Sequence, residues 1–86
     1  MIRVVFLGKL ADLAGRPDHE VACSSEGMNW SGLLAHLQGE LNPVLAQAVD
    51  DNRTKLALNG AVLADKTTLH AAEGDEVALL PPVSGG

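Results

Sequence analysis

The spacing of apolar residues predicts an α+β roll, in which a mixed β-sheet wraps one main helix. Three observations carry this. Apolar and polar residues alternate with a period of two near both ends of the chain, over Ile2–Leu7 and Glu76–Leu80. Between them a single stripe at helical spacing joins Trp30, Leu33, Leu34, Leu37 and Leu41. Asn59-Gly60 then signals a tight hairpin. The element order is β-β-α-β-β-β. At 86 residues and 47% hydrophobic, the chain makes one domain with enough apolar material for a core. Phe6 and Trp30 are its only aromatics, so the core consists mainly of Leu, Val, Ile and Ala.

Each element has a local cause. Ile2, Val4 and Phe6 share one parity, and Arg3, Val5 and Leu7 the other, with Arg3 turning the odd face outward. Gly8 closes that strand. Lys9–Ala14 makes about two helical turns, ended by Gly15. Arg16-Pro17-Asp18 is a turn, and His19–Cys23 a second strand antiparallel to the first. After the loop Ser24–Gly27, Asn29 is the N-cap of the main helix. Gly32 and Gly39 lower its propensity, so packing must hold it, and Asn42-Pro43 ends it. Val44–Val49 can add a short helical turn. Lys55–Asn59 and Ala61–Leu63 form the hairpin arms, Asp65–Glu73 is a connection, and Gly74-Asp75 turns into the last strand. The domain proper covers residues 1–80, and residues 81–86 follow it as a flexible tail.

Several function classes are disfavoured. The net charge is −5 and the six Lys and Arg residues form no run, so nucleic-acid binding lacks its phosphate contacts. An acidic surface instead suits a basic partner. Cys23 stands alone, which gives no internal disulfide and too few thiols for a metal site. No metal or permanently bound cofactor is expected. His19, His36 and His70 are far apart in sequence and match no catalytic spacing. The apolar run at the start is too short for a signal peptide, and none spans a membrane, so the chain reads as cytoplasmic.

The working part is read at the other end. Pro81 and Pro82 cannot donate to a sheet ladder, so the last strand stops there and the chain runs on extended. Val83 and Ser84 follow, and Gly85 and Gly86 carry no side chains. Six extended residues reach roughly 20 Å, at about 3.3 Å each. The tail is therefore a thin thread with the carboxylate of Gly86 at its tip. Parity adds a second feature. If the first and last strands are neighbours, Val5, Leu7, Ala78 and Leu80 form an apolar patch on the open face of the sheet, beside the root of the tail, and such a patch marks a docking surface.

Two stretches resemble a known family. Met1–Gly15 and Leu80-Pro81-Pro82-Val83-Ser84-Gly85-Gly86, together with Asn59-Gly60 and Gly74-Asp75-Glu76-Val77, are similar to the small subunit of molybdopterin synthase, the MoaD-type sulfur carriers. The resemblance spans essentially the whole chain and implies the β-grasp, ubiquitin-like fold. Where that family commonly has an aromatic pair, this chain has Leu79 and Leu80, which keep an apolar contact with less buried area.

The resemblance also implies a mechanism and a set of partners. A ubiquitin-activating-type adenylating enzyme uses ATP and magnesium to convert the carboxylate of Gly86 to an acyl-adenylate. A sulfurtransferase donor then supplies sulfur and AMP leaves, giving a thiocarboxylate. The large catalytic subunit of molybdopterin synthase receives the tail, in a heterotetramer of two small and two large subunits, and the sulfur enters the dithiolene of molybdopterin. The carrier is a sulfur-donating subunit with no catalytic side chains of its own. A tail without Cβ atoms suits a narrow channel, Pro81 and Pro82 lower the ordering cost of insertion, and Val83 can anchor it. Three other readings remain: a carrier for thiamin, cysteine or tRNA thiolation; a ubiquitin-like protein modifier joined through Gly86; and a binding module whose Gly-Gly end is incidental.

Overall fold

The sheet is built around its last strand. The structure, a computed structural model, describes residues 1–82. Strands β1 (Ile2–Phe6), β2 (Asp18–Val21), β4 (Lys55–Leu58), β5 (Ala61–Val62) and β7 (Glu76–Leu80) form one sheet in the order β2-β1-β7-β4-β5. β1 and β7 run parallel, in the register Val4 to Val77 and Phe6 to Leu79, and all other neighbours are antiparallel. Ile2, Val4, Phe6, Val77 and Leu79 are buried on the helix-covered face, as period-two parity requires. The strands end at the prolines: β7 stops at Leu80, and Pro81 and Pro82 lie outside it.

Three α-helices cover that face. α1 (Lys9–Ala14) buries Leu10 and closes at Gly15, which takes a left-handed φ of 75°. α2 (Trp30–His36) starts at Asn29, whose side chain accepts from the Gly32 amide at 2.9 Å. α3 (Pro43–Asp50) starts at Asn42, whose Oδ1 accepts from the Leu45 amide at 2.8 Å, with Pro43 at the first helical position. Leu10, Leu33, Leu37, Leu45 and Val49 all have no exposed surface and meet the sheet's inner residues in one core.

The structure departs from the sequence reading in three places. The main helix is not continuous to Leu41: α2 passes at Leu37–Leu41 into a π-helical turn, closed by a bond from the Asn42 amide to the Leu37 carbonyl at 3.0 Å. The wider turn lets Asn42 serve three roles, since its Nδ2 also donates to the Leu13 carbonyl of α1 at 2.9 Å. The segment after it is a full helix, α3, and not a single turn, because Leu45, Ala46 and Val49 give it a buried face. The connections contain a second, two-stranded sheet, β3 (Met28–Asn29) with β6 (His70–Ala71), and a 3₁₀ turn at Lys66–Thr68.

Polar pins hold the connections. The Lys66 ammonium donates to the carbonyls of Val49 and Thr54, each at 2.9 Å, and to that of Asp51, and lies 5.3 Å from the centre of the Trp30 ring. Burial pushes its pKa below the ordinary lysine value. The β4–β5 turn places Asn59 at φ 51° and Gly60 at φ 87°, the left-handed pair of a tight hairpin. Asn59 also accepts from the Glu76 amide at 2.9 Å, which ties the hairpin to the start of β7.

Candidate functional site at the end of the last strand

The site begins where β7 leaves the sheet. Because β1 runs parallel to β7, both end at the same edge, and because β4 runs antiparallel, it starts there. Leu80 pairs with Lys55 on one side, and the Leu7 amide donates to the Leu79 carbonyl at 3.1 Å on the other. The chain enters Pro81 against the backbone of Gly8. That glycine has φ 54°, and a Cβ placed there would stand 3.2 Å from Pro81 Cγ. Pro81 and Pro82 are half-buried. Val83, Ser84, Gly85 and Gly86, the tip on which the sequence places the chemistry, lie outside the described residues.

The open face of the sheet carries the patch inferred from parity and extends it. The pairings place Val5, Ala78, Ala57 and Val62 in one row across β1, β7, β4 and β5, with Asp18 of β2 at its end. Val5, Ala78 and Leu80 are half-buried, Leu7 is 41% exposed and Val62 59% exposed. Ala57 is buried yet lies outside the main core, on the open side of the sheet between Ala78 and Val62. The sequence reading missed Ala57 and Val62. The signal was available: counting outward from the Asn59-Gly60 turn pairs Leu58 with Ala61 and Ala57 with Val62.

Charges frame this face unevenly. On its far half, Arg3 is hydrogen-bonded to Asp18 at 2.7 Å and lies 3.7 Å from Glu76. These carboxylates raise its pKa, chiefly through the Asp18 hydrogen bond. On the helix side, two of the histidines that are far apart in sequence meet at one carboxylate. His19 Nε2 and His36 Nδ1 bracket the Glu40 carboxylate at 2.8 and 2.5 Å. Arg16 Nη1 lies 3.1 Å from His19 Nδ1. A guanidinium only donates, so Nδ1 accepts and Nε2 carries the proton given to Glu40. The π-helical turn is what carries Glu40 to that point. The His19 and then the His36 hydrogen bonds hold the Glu40 carboxyl below the usual range. This is a clamp between β2 and the helices, distant in the fold from Pro81.

A groove of about 470 Å³ is lined by Cys23, Glu26, His36 and His70 among others. It adjoins Ala22, beyond the end of β2 that pairs with Ile2, so it lies at the opposite pole from the tail. Cys23 is half-buried there, with Sγ 3.8 Å from Glu73 Oε1. Among the described residues no group of three His, Cys, Asp or Glu side chains can hold a metal ion, and no helix is long and apolar enough to cross a membrane. The candidate site is the strand end and its apolar face.

Comparison with known proteins identifies the family. The model of the ThiS family matches residues 4–86. This chain belongs to the ThiS family. The likeness reaches the whole length of a curated relative: the molybdopterin synthase sulfur carrier subunit of Escherichia coli (strain K12) is 31% identical over 86 residues, with 100% of both chains covered. Among solved structures, crystalline SAMP1 from Haloferax volcanii superposes with a TM-score of 0.79 at 27% identity, covering 99% of this chain and 98% of the other. A complex of subunits 1 and 2 of the molybdopterin-converting factor from Helicobacter pylori contains a chain similar at 25% identity and a TM-score of 0.63, with 99% and 97% covered. The fold of this ThiS-family chain is the ubiquitin-like β-grasp. The resemblance drawn from its two ends thus extends through the middle of the chain.

Proposed function

We propose that this protein carries sulfur on its own main chain, at Gly86, and donates it to the molybdopterin dithiolene as the small subunit of molybdopterin synthase. The Gly86 carboxylate attacks the α-phosphorus of ATP on an adenylating enzyme, pyrophosphate leaves, and an acyl-adenylate forms. ATP and magnesium belong to that enzyme. A donor persulfide then attacks the acyl carbon and AMP departs. A thiol cleaves the resulting acyl disulfide, carrying the donor away as a disulfide and leaving a thiocarboxylate on Gly86. In the large subunit that sulfur bonds to the pterin precursor, and water releases the acyl group and restores the carboxylate. The carrier needs no general base, since each step is run by the enzyme that grips the tail.

The observation that carries this reading is the meeting of the β7 terminus with an apolar row on the open face, Val5, Ala78, Ala57 and Val62. A partner seated on that row holds the chain beside the exit of the tail, so docking and threading are one event. The full-length likeness to a sulfur carrier subunit supports the same reading. The test is intact mass after incubation with the cognate adenylating enzyme, ATP and a sulfur donor. The expected product has sulfur in place of one oxygen, and a chain with one extra residue after Gly86 gives none. Normal sulfur transfer by that extended chain overturns the reading.

The likeness to SAMP1, a small archaeal modifier protein, favours one second reading, in which the activated Gly86 joins a lysine of another protein. The same mass measurement separates the two: a carrier gains sulfur, and a modifier appears as a larger conjugate.

A further inference from the structure

The chain has six cationic side chains, and four are engaged within the domain. Arg3 is held by Asp18 and Glu76, Arg53 by Asp51, Lys66 by three carbonyls and Arg16 by His19. The remaining two, Lys9 and Lys55, are exposed and make no ion pair or side-chain hydrogen bond among the described residues. Their positions are not scattered. Lys55 is the register partner of Leu80, on β4. Lys9 follows Gly8, the residue against Pro81, at the end of β1. β1 and β4 are the two strands flanking β7, so one lysine stands on each side of the point where the tail leaves the sheet.

Local physics does not account for either. Lys9 opens α1, where the positive end of the helix dipole disfavours a cation. Lys55 faces Leu80 across the ladder and is paired with neither Asp50 nor Asp65, which line the groove beside it. The opposite end of the same face carries Glu20 and Glu76 around Arg3. The tail end of the domain thus carries two cations, Lys55 on the open face and Lys9 at the start of α1, and the far end of the open face carries carboxylates. Residues that break a local rule without a local gain are those most often kept for a partner.

We propose that Lys9 and Lys55 are a paired recognition element for an acidic rim around the mouth of the cleft that takes the tail, in the large subunit of the synthase. The inference rests on the reading above for the identity of the partner. It also reverses, at this one place, what the net charge of −5 predicts: the body of the chain suits a basic partner, but the tail exit suits an acidic one. Two cations astride the thread, with carboxylates at the far end, fix which way round the face docks and steer the tail toward its cleft.

The test is the association rate of the full chain with its cognate large subunit, followed by stopped flow at about 20 mM and about 500 mM salt. Lys9→Gln/Lys55→Gln is expected to slow association about fivefold or more at low salt, with the difference nearly gone at high salt. Gln38→Glu makes the chain more acidic by one charge at an exposed site on the helix side. It is compared with each single lysine variant and is expected to stay within about twofold of the parent rate. All three substitutions are at exposed residues, and matching denaturation midpoints confirm folding. If Gln38→Glu slows binding as much as either lysine variant, or the double variant binds at the parent rate, the inference fails while the reading of the partner stands. If the unsubstituted chain does not bind the large subunit at all, that reading fails and the inference with it.

Discussion

The backbone of Gly8 lies against the ring of Pro81, so close that a Cβ at Gly8 would stand 3.2 Å from Pro81 Cγ. The β1–α1 turn thereby forms one wall of the tail's exit. Gly15 provides an internal comparison, because it has a similarly left-handed φ of 75° but open space, with nothing within 4 Å, where a Cβ would stand. Alanine at either site is expected to cost about 1–2 kcal/mol from backbone strain. Only Gly8→Ala is expected to shift the NMR signals of Leu80 to Pro82 and to slow sulfur transfer at saturating partner. Equal effects of the two substitutions on transfer would show that Gly8 matters to the turn alone.

Substitutions at Leu80 and Leu79 should separate docking from folding. Leu80 is half-buried on the open face, whereas Leu79 has no exposed surface. Leu80→Asp is expected to weaken binding of the large subunit at least tenfold with a small change in stability, and Val62→Lys to act in the same direction. Leu79→Ala is expected to cost about 2–5 kcal/mol of stability. Calorimetric titration and urea denaturation read the two quantities, and an unchanged Kd for Leu80→Asp removes the open face from the docking surface.

Asn59 should be worth more than its turn geometry. Its φ of 51° is one that glycine adopts more readily, yet its side chain accepts from the Glu76 amide and donates to Asp75 Oδ1 at 3.1 Å. Asn59→Gly relieves the backbone but loses both bonds, and a net loss of about 1 kcal/mol is expected. A gain in the urea midpoint would mean that these bonds contribute nothing beyond the turn.

Acid stability should depend on Glu40. Hydrogen bonds from His19 and then His36 hold its carboxyl below the ordinary value of 4.5. A depressed folded-state value means that the contribution is complete above about pH 4.5 and fades as the pH falls through the folded value. The carboxylate is 42% exposed, so solvent screening keeps the gain below about 1 kcal/mol. Glu40→Gln is expected to lower stability at neutral pH and to flatten the decline below pH 4.5. Parallel curves for the two proteins would show that the clamp does not titrate.

Much of this architecture was legible in the sequence, for reasons visible at particular residues. A sheet covered on one side forces period two, so Ile2, Val4 and Phe6 announced the inner face and Val5 the outer. Asn29 was readable as a helix N-cap because a short amide side chain satisfies the free amides there, whereas Asn42-Pro43 was readable as the end of the main helix, through the proline, and not as the cap of α3. The π-helical turn was not readable, since Leu37 and Leu41 keep a spacing of four that an ordinary helix also uses. β3 and β6 have two residues each, too few to show any period. The His19–Glu40–His36 clamp joins residues from separate elements and has no local signature. The chemistry proposed for the tail rests on composition, Gly85 and Gly86 after Pro81 and Pro82, and on the family resemblance.

The central place of β7 has a mechanical consequence. A pull at Pro82, just past the end of β7, loads that strand along its own axis. With β1 on one side and β4 on the other, that load falls on two ladders at once and must shear many hydrogen bonds together instead of peeling them one by one. A strand at the edge would unzip under the same tug. The domain is thus built to take a pull on its end without being unravelled.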